Sequence, residues 1–189
     1  MKKILTLLVV ILGIFISCSN EKTDSSAKEG SKKILVVYFS ATGNTKRIAQ
    51  IIASDRNADI FEIVPESPYT TEDLNSKNPD SKVAKEKADK SIRPKIKNSV
   101  ENFSQYDVVF LGYPIWWGEA PRIMNTFVES NDFNGKTVIP FVTSGNSEIG
   151  TSPNPLKEKT KGAAWKGGKR FSASSSEADV KKWIKELGL

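Results

Sequence analysis

Residues 40–45 read Ser-Ala-Thr-Gly-Asn-Thr, with three hydroxyl side chains around one glycine, directly after an apolar segment. Where such a loop opens a helix, free backbone amides and the positive end of the helix dipole converge, and hydroxyls add donors without adding charge. The sequence therefore predicts a phosphate cradle formed by Ser40, Thr42, Gly43, Asn44 and Thr45. It matches neither a Walker A loop nor a dinucleotide fingerprint, so a monophosphate fits best. The alternative is an ordinary Ser/Thr-rich helix cap.

A second loop places two adjacent tryptophans in a turn bounded by proline and glycine. Its candidate binding residues are Pro114, Ile115, Trp116, Trp117, Gly118 and Glu119. The flanking residues exclude a regular helix or strand across the pair. A flat aromatic ligand stacked on one indole therefore explains the two tryptophans better than burial in the core does.

A third loop, residues 143–150, also follows an apolar segment. It offers hydroxyls, amides and glycines that permit close approach of the backbone to a ligand. The candidate binding residues here are Thr143, Ser144, Gly145 and Asn146.

The composition excludes several kinds of chemistry. The 189 residues contain no histidine and one cysteine, Cys18. Catalytic triads with histidine, intramolecular disulfides, CxxC redox pairs and Cys- or His-ligated metal sites are therefore excluded, and we predict no metal site. Any redox chemistry is expected to belong to a bound cofactor.

The elements that must position these loops alternate between strand and helix. Apolar runs predict strands at residues 34–39, 60–64, 107–113 and 137–142, with a weaker fifth strand at 169–173. Amphipathic spacing predicts helices at 44–55, 121–130 and from 176 onward, and a surface helix near 81–91. The alternation predicts an α/β fold, a doubly wound parallel sheet with helices on both faces and ligands at the carboxyl ends of the strands. Pro140 is unusual in a central strand, so we expect a bulge or an unpaired amide there.

The three loops, in this order, resemble those of the flavodoxin family, and the resemblance covers residues 32–189. It implies a five-stranded sheet in the order 2-1-3-4-5 with FMN as the cofactor. The FMN phosphate would lie on residues 40–45, the flavin ring on Trp116 or Trp117, and the pyrimidine edge on the third loop. Glu119 would accept a hydrogen bond from the flavin or be a solvated acid. The third loop departs from many relatives because it lacks an aromatic residue, which leaves one ring face open or covered by another element.

The N-terminus predicts export and lipidation. Residues 1–17 have a basic start and an uncharged run too short to be a stable anchor, which is typical of a signal peptide. The small residue before Cys18 resembles the lipobox of bacterial lipoproteins, in which the cysteine is lipidated; an uncleaved signal anchor is the alternative. Residues 18–31 lack large apolar side chains and are expected to be a tether, leaving residues 32–189 as the folded domain. We therefore expect an extracytoplasmic, membrane-anchored lipoprotein.

The formal net charge is +6, and the positive charge is concentrated at residues 82–97 and 157–170. These regions are solvated faces, a docking surface for an acidic redox partner, or a contact with anionic lipid; no nucleic-acid partner is expected. Three functions remain open at this point. They are an FMN-dependent electron carrier, an FMN-dependent reductase of quinones or similar acceptors that uses NAD(P)H, and a non-redox binding module on the same fold.

Overall fold

The computed structural model describes residues 32–189, so the predicted signal peptide, Cys18 and the tether lie outside the described residues. The strands are β1 Ile34–Tyr38, β2 Asp59–Glu62, β3 Val108–Pro114, β4 Thr137–Thr143, β5 Ala164–Trp165 and β6 Lys169–Phe171. The strands pair in parallel in the order β2-β1-β3-β4-β5. β6 also pairs with β4, further toward the carboxyl end of that strand than β5 does. The predicted order 2-1-3-4-5 and the doubly wound α/β class are confirmed.

The described residues form five α-helices and a short 3-10 helix at Phe103–Gln105. The α-helices are α1 Asn44–Arg56, α2 Lys82–Ala88, α3 Arg122–Glu129, α4 Asn154–Lys159 and α5 Glu177–Glu186. The apolar side chains of α1 and α5 pack with Val36 on one face of the sheet, and those of α3 pack with Val37 on the other. Since successive side chains of a strand point to opposite faces, β1 is buried throughout and reads as one unbroken apolar run.

The fifth strand is interrupted, which corrects the prediction of one strand at residues 169–173. β5 and β6 are two short pieces that flank residues 166–168, and both pair with β4. The Val138 carbonyl of β4 accepts a hydrogen bond from Lys166 N at 2.9 Å, so Pro140, two residues further on, directs its backbone to the same side. The backbone of Pro140 therefore faces the interruption. Proline has no N–H to donate, and no paired strand at this position requires one. This is the unpaired position that the proline predicted.

Gly168 allows the chain to pass close to that proline. A Cβ atom at position 168 would lie 2.3 Å from the Pro140 carbonyl oxygen and 2.7 Å from Ile149 Cδ1. The Ile149 side chain can move aside, but the backbone carbonyl of Pro140 cannot do so cheaply, and this contact favours glycine at the break in the fifth strand.

The connection between β2 and β3 differs from the predicted surface helix. Helix α2 is shorter than expected, and it begins after Ser81, whose hydroxyl accepts a hydrogen bond from Ala84 N at 3.2 Å. Val83 and Glu86 are buried. Upstream of the helix, the Tyr69 ring packs 5.6 Å from Phe39, directly after β1. The connection is therefore part of the region around the carboxyl ends of the strands.

Candidate functional site

The three predicted loops meet at one edge of the sheet, because β1, β3 and β4 are parallel neighbours. The hydroxyls of Thr45 in the first loop and Thr143 at the end of β4 lie 2.8 Å apart. The Thr143 carbonyl accepts a hydrogen bond from Ile115 N of the second loop at 2.9 Å. Thr143 thus joins the other two loops directly.

The first loop leaves the N-terminus of α1 uncapped. The N-cap residue is Gly43, with φ of 84°, and no side chain accepts a hydrogen bond from the first turn, which also contains no acidic residue. The first four amides of a helix have no partner within the helix, and the helix dipole makes that end electropositive. The alternative of an ordinary Ser/Thr cap therefore does not describe this helix, whereas an anion would satisfy it.

The Ser40 hydroxyl is a second polar group of the first loop that has no hydrogen-bond partner among the described residues. The oxygen of this hydroxyl is buried. An unsatisfied buried hydroxyl costs about 1–3 kcal/mol, so native proteins seldom retain one. A phosphate held at the start of α1 would supply that partner, and the residues present therefore fit the FMN phosphate.

The second loop is a two-residue hairpin turn. Trp116 N donates to the Glu119 carbonyl at 2.9 Å, and Glu119 N donates back to the Trp116 carbonyl at 3.0 Å. The two central residues both have positive φ, 49° at Trp117 and 79° at Gly118, which defines a type I′ turn. Glycine adopts this conformation without strain, while Trp117 is held in it by the two flanking hydrogen bonds.

The two tryptophans have different surroundings. Trp116 is half-buried, with ring centroids 5.7 Å from Phe39 and 5.4 Å from Tyr69, both at steep interplanar angles. Trp117 is 40% exposed, and the Lys87 ammonium lies 5.3 Å from the centre of its ring. Trp116 therefore anchors the turn in the apolar core, and Trp117 is the indole with more surface available to a flat ligand.

Glu119 braces the turn through ion pairs. Its carboxylate oxygens accept hydrogen bonds from Lys90 and Arg122, each at 2.6 Å, and these bonds hold the pKa of the carboxyl below its usual range. Any hydrogen bond to a ligand N–H would have to share one of these oxygens. Arg122 is itself buried, and its Nε donates to the Glu86 carbonyl at 3.0 Å.

Tyr69, which packs against Trp116, is paired with the buried carboxyl of Glu86. The Tyr69 hydroxyl donates to Glu86 Oε1 at 2.5 Å, while Glu86 Oε2 has no hydrogen-bond partner among the described residues. Burial raises the pKa of the Glu86 carboxyl, and burial together with the Glu86 hydrogen bond raises the pKa of the Tyr69 phenol.

A slot of about 350 Å³ opens between the first two loops and the β2–β3 connection. It is bounded by Ala41 and Thr42, by the second-loop residues from Pro114 to Trp117, and by Leu74, Ser76 and Val83. Its size and mixed apolar lining are typical of a small-molecule site. Sequence reasoning missed the wall formed by Leu74, Ser76 and Val83, for which the only signal was one apolar residue just inside a capped helix.

No residue of the third loop lines this slot, although Thr143 contacts the two loops that do. Of the third-loop candidates, Thr143 is buried between the loops, and Ser144 is half-buried, whereas Gly145 and Asn146 are exposed. Arg170 of β6, which sequence reasoning also missed, holds the loop. Its Nε donates to Ser144 Oγ at 3.1 Å, and its Nη2 donates to the Ser144 carbonyl at 3.0 Å and to the Gly145 carbonyl. The only sequence signal was a basic residue in the weak fifth strand.

Much of the positive charge at residues 82–97 is paired. Four of its seven basic side chains form ion pairs, namely Lys82 with Asp73, Lys90 with Glu119, Arg93 with Glu129 and Lys95 with Glu66. This arrangement resembles a solvated, salt-bridged face more than a uniformly positive patch.

Two further findings concern what residues 32–189 do not contain. No group of three or more acidic or thiol side chains in this part of the chain is arranged to hold a metal ion. No helix within the described range has the length and apolar character needed to cross a bilayer.

The flavodoxin family model matches residues 33–187, so the chain belongs to the flavodoxin family. No curated protein matches the chain with significance.

Among solved structures, a candidate flavoprotein from Bacteroides eggerthii is 44% identical, with a TM-score of 0.78 over 84% of this chain and 99% of that one. A second candidate flavoprotein, from Bacteroides uniformis, is 42% identical, with a TM-score of 0.78 over 82% and 98% of the two chains. A Lactobacillus acidophilus flavoprotein in complex with FMN is 21% identical, with a TM-score of 0.62 over 82% and 99% of the two chains. At that identity the likeness bears on the fold.

Proposed function

We propose that this flavodoxin is an electron carrier that uses FMN and works outside the cytoplasm, held at a membrane by a lipid on Cys18. The family gives FMN as the cofactor. The observation that carries the proposal is Ser40 Oγ, which is buried without a partner among the described residues, in the loop that leads to the uncapped start of α1. That arrangement accommodates a phosphate, and the tryptophan turn beside it accommodates a flat ring.

The division of labour follows from the site. FMN supplies the capacity to take up and release electrons one or two at a time. The hydroxyls and amides of the first loop would hold the phosphate, and an indole of the second loop would lie against the ring; Glu119 and Arg122 fix that turn. Electron transfer uses the chemistry of the flavin and needs no nucleophile or acid–base pair from the chain, so transfer of electrons between partner proteins is the function that this arrangement supports best.

A flavin titration tests the proposal. Purified apoprotein is titrated with FMN and with riboflavin while tryptophan and flavin fluorescence are followed. Tight quenching by FMN and weak quenching by riboflavin are expected, because only FMN carries the phosphate. Absence of binding by either flavin would favour the non-redox binding module.

The reductase remains a second candidate because the third loop offers no aromatic cover and Trp117 is exposed. An enzyme that reduces quinones with NAD(P)H needs such an open flavin face. Steady oxidation of NAD(P)H by the FMN-loaded protein, with a quinone as acceptor, would establish turnover. A carrier would show no oxidation above that of free FMN.

Lipid attachment rests on the sequence around Cys18 and is tested independently of the flavin. The wild-type protein, expressed in a bacterial host, is expected to incorporate labelled palmitate and to sediment with membranes. The Cys18→Ser variant should lose the label. A label that persists in the variant would contradict lipidation at this residue.

A further inference from the structure

Beyond Thr143, the third loop is held by the side chain of Arg170. Arg170 donates to three oxygens of the loop, namely Ser144 Oγ, the Ser144 carbonyl and the Gly145 carbonyl. A planar guanidinium has a fixed set of donors, so three such contacts restrict both the position and the orientation of the loop backbone. A charged donor also makes each of these hydrogen bonds stronger than a neutral one would be.

The two bound carbonyls determine where the next amides point. In a trans peptide the C=O and the following N–H are antiparallel. Since the Ser144 and Gly145 carbonyls are directed at Arg170, the N–H groups of Gly145 and Asn146 are directed away from it. No hydrogen bond within residues 32–189 uses either amide. β6 pairs with β4 on the side opposite β3, and β3 is the strand that leads into the second loop.

We propose that Arg170 is a positioning residue that holds the Gly145 and Asn146 amides as a pair of donors for an electron-rich carbonyl or anionic ring edge of the ligand. The inference rests on the proposed function, for which that edge belongs to FMN. The guanidinium also polarises the two peptides that it binds, and its positive charge favours the more negative state of a nearby redox group.

Three variants separate the contacts from the charge. Arg170→Gln removes the charge and most of the donors, and Arg170→Lys keeps the charge but loses the planar fork. Lys169→Gln is the matched control, because it removes one positive charge from the neighbouring position of β6 and leaves the three loop contacts intact.

The first measurement needs no cofactor. Amide ¹⁵N relaxation of the apoprotein should give order parameters near the rigid value of about 0.85 at Gly145 and Asn146. In Arg170→Gln they should fall below about 0.6, while Lys169→Gln should match the wild type. Unchanged order parameters in Arg170→Gln would overturn the positioning role. Because this arm uses apoprotein, it decides the matter even where FMN binding, and with it the proposed function, fails.

The second measurement uses the FMN-loaded protein. Both Arg170 variants should bind FMN about 10- to 100-fold more weakly, as expected for loss of hydrogen bonds that depend on a charged donor. In Arg170→Gln the reduced flavin should also lose at least tenfold more affinity than the oxidised flavin, which lowers a two-electron midpoint potential by about 30 mV. Arg170→Lys should retain most of the wild-type potential. Equal affinities and potentials in Arg170→Gln and Lys169→Gln would overturn the proposal.

Discussion

Replacement of Ser40 by alanine separates the phosphate cradle from an ordinary structural serine. The Ser40 hydroxyl is buried, and no group within residues 32–189 forms a hydrogen bond with it. Its removal therefore relieves a desolvation penalty and breaks no hydrogen bond, and we expect the free energy of unfolding to rise by about 1 kcal/mol. For a domain of this size such a gain raises Tm by about 2–4 °C.

The effect on FMN binding should have the opposite sign. A hydrogen bond from a serine hydroxyl to a charged phosphate contributes about 1.5–3 kcal/mol. Loss of that bond weakens FMN binding by about 10- to 150-fold. Riboflavin has no phosphate, so its affinity should not change. A stabilised apoprotein combined with a selective loss of FMN affinity is a pattern that a general packing defect cannot produce.

The assay combines urea unfolding of the apoprotein with fluorescence titrations of FMN and riboflavin. Ser99→Ala is the control, because Ser99 is exposed and lies outside the three loops; it should leave all three measurements at the wild-type values. A decrease of about 1 kcal/mol or more in the free energy of unfolding of the Ser40→Ala apoprotein would refute the reasoning, because a loss of that size indicates a broken hydrogen bond. Equal weakening of FMN and riboflavin would refute it as well.

Three further variants test the fold around the site. Thr45→Val leaves the buried Thr143 hydroxyl without its partner 2.8 Å away, so urea unfolding should show a loss of about 1–3 kcal/mol, most of which the double variant with Thr143→Val restores. Gly168→Ala brings a methyl group against the Pro140 carbonyl, and thermal unfolding should show a loss of about 1–3 kcal/mol, with Gly167→Ala as the control because its Cβ would meet open space. Burial raises the pKa of Glu86 in the folded protein, so the wild type loses stability relative to Glu86→Gln as the pH rises from the unfolded pKa through the folded one. Urea midpoints of both proteins at pH 4, 6 and 8 measure that trend, and parallel curves would contradict it.

The parts of the fold that could be predicted are those in which local pattern and tertiary role agree. β1 and β3 are apolar along their length because both faces of a central parallel strand are covered, and the helix predicted from residue 176 onward is α5, which begins with a capping box formed by Ser176 and Asp179. β5, with two residues, is too short to leave any periodic signal. β5 forms by pairing with β4, and the local sequence of two residues does not indicate which distant strand they will pair with.

In the candidate site, too, the features that follow from local sequence could be predicted and those created by tertiary contacts could not. Its loops could be located because each one follows a strand, and parallel topology gathers the carboxyl ends of strands at one edge. The Arg170 contacts to Ser144 span 26 positions of the chain, and the wall at Leu74 and Val83 comes from a connection with no clear periodicity. Such contacts are created by the fold, so residue types and spacing alone do not contain them.

The interruption of the fifth strand connects the unusual proline of β4 with the position of Arg170 at the third loop. Pro140 cannot donate to a continuous neighbouring strand, so the chain breaks its pairing at residues 166–168 and resumes it as β6. Gly168 allows that break to pack tightly between Pro140 and Ile149 of the third loop. β6 then runs alongside the end of β4, with Arg170 opposite Val142 and its guanidinium on the carbonyls of Ser144 and Gly145. A proline that is unfavourable within a central strand is thus accommodated by the irregularity that brings a positive charge to the third loop.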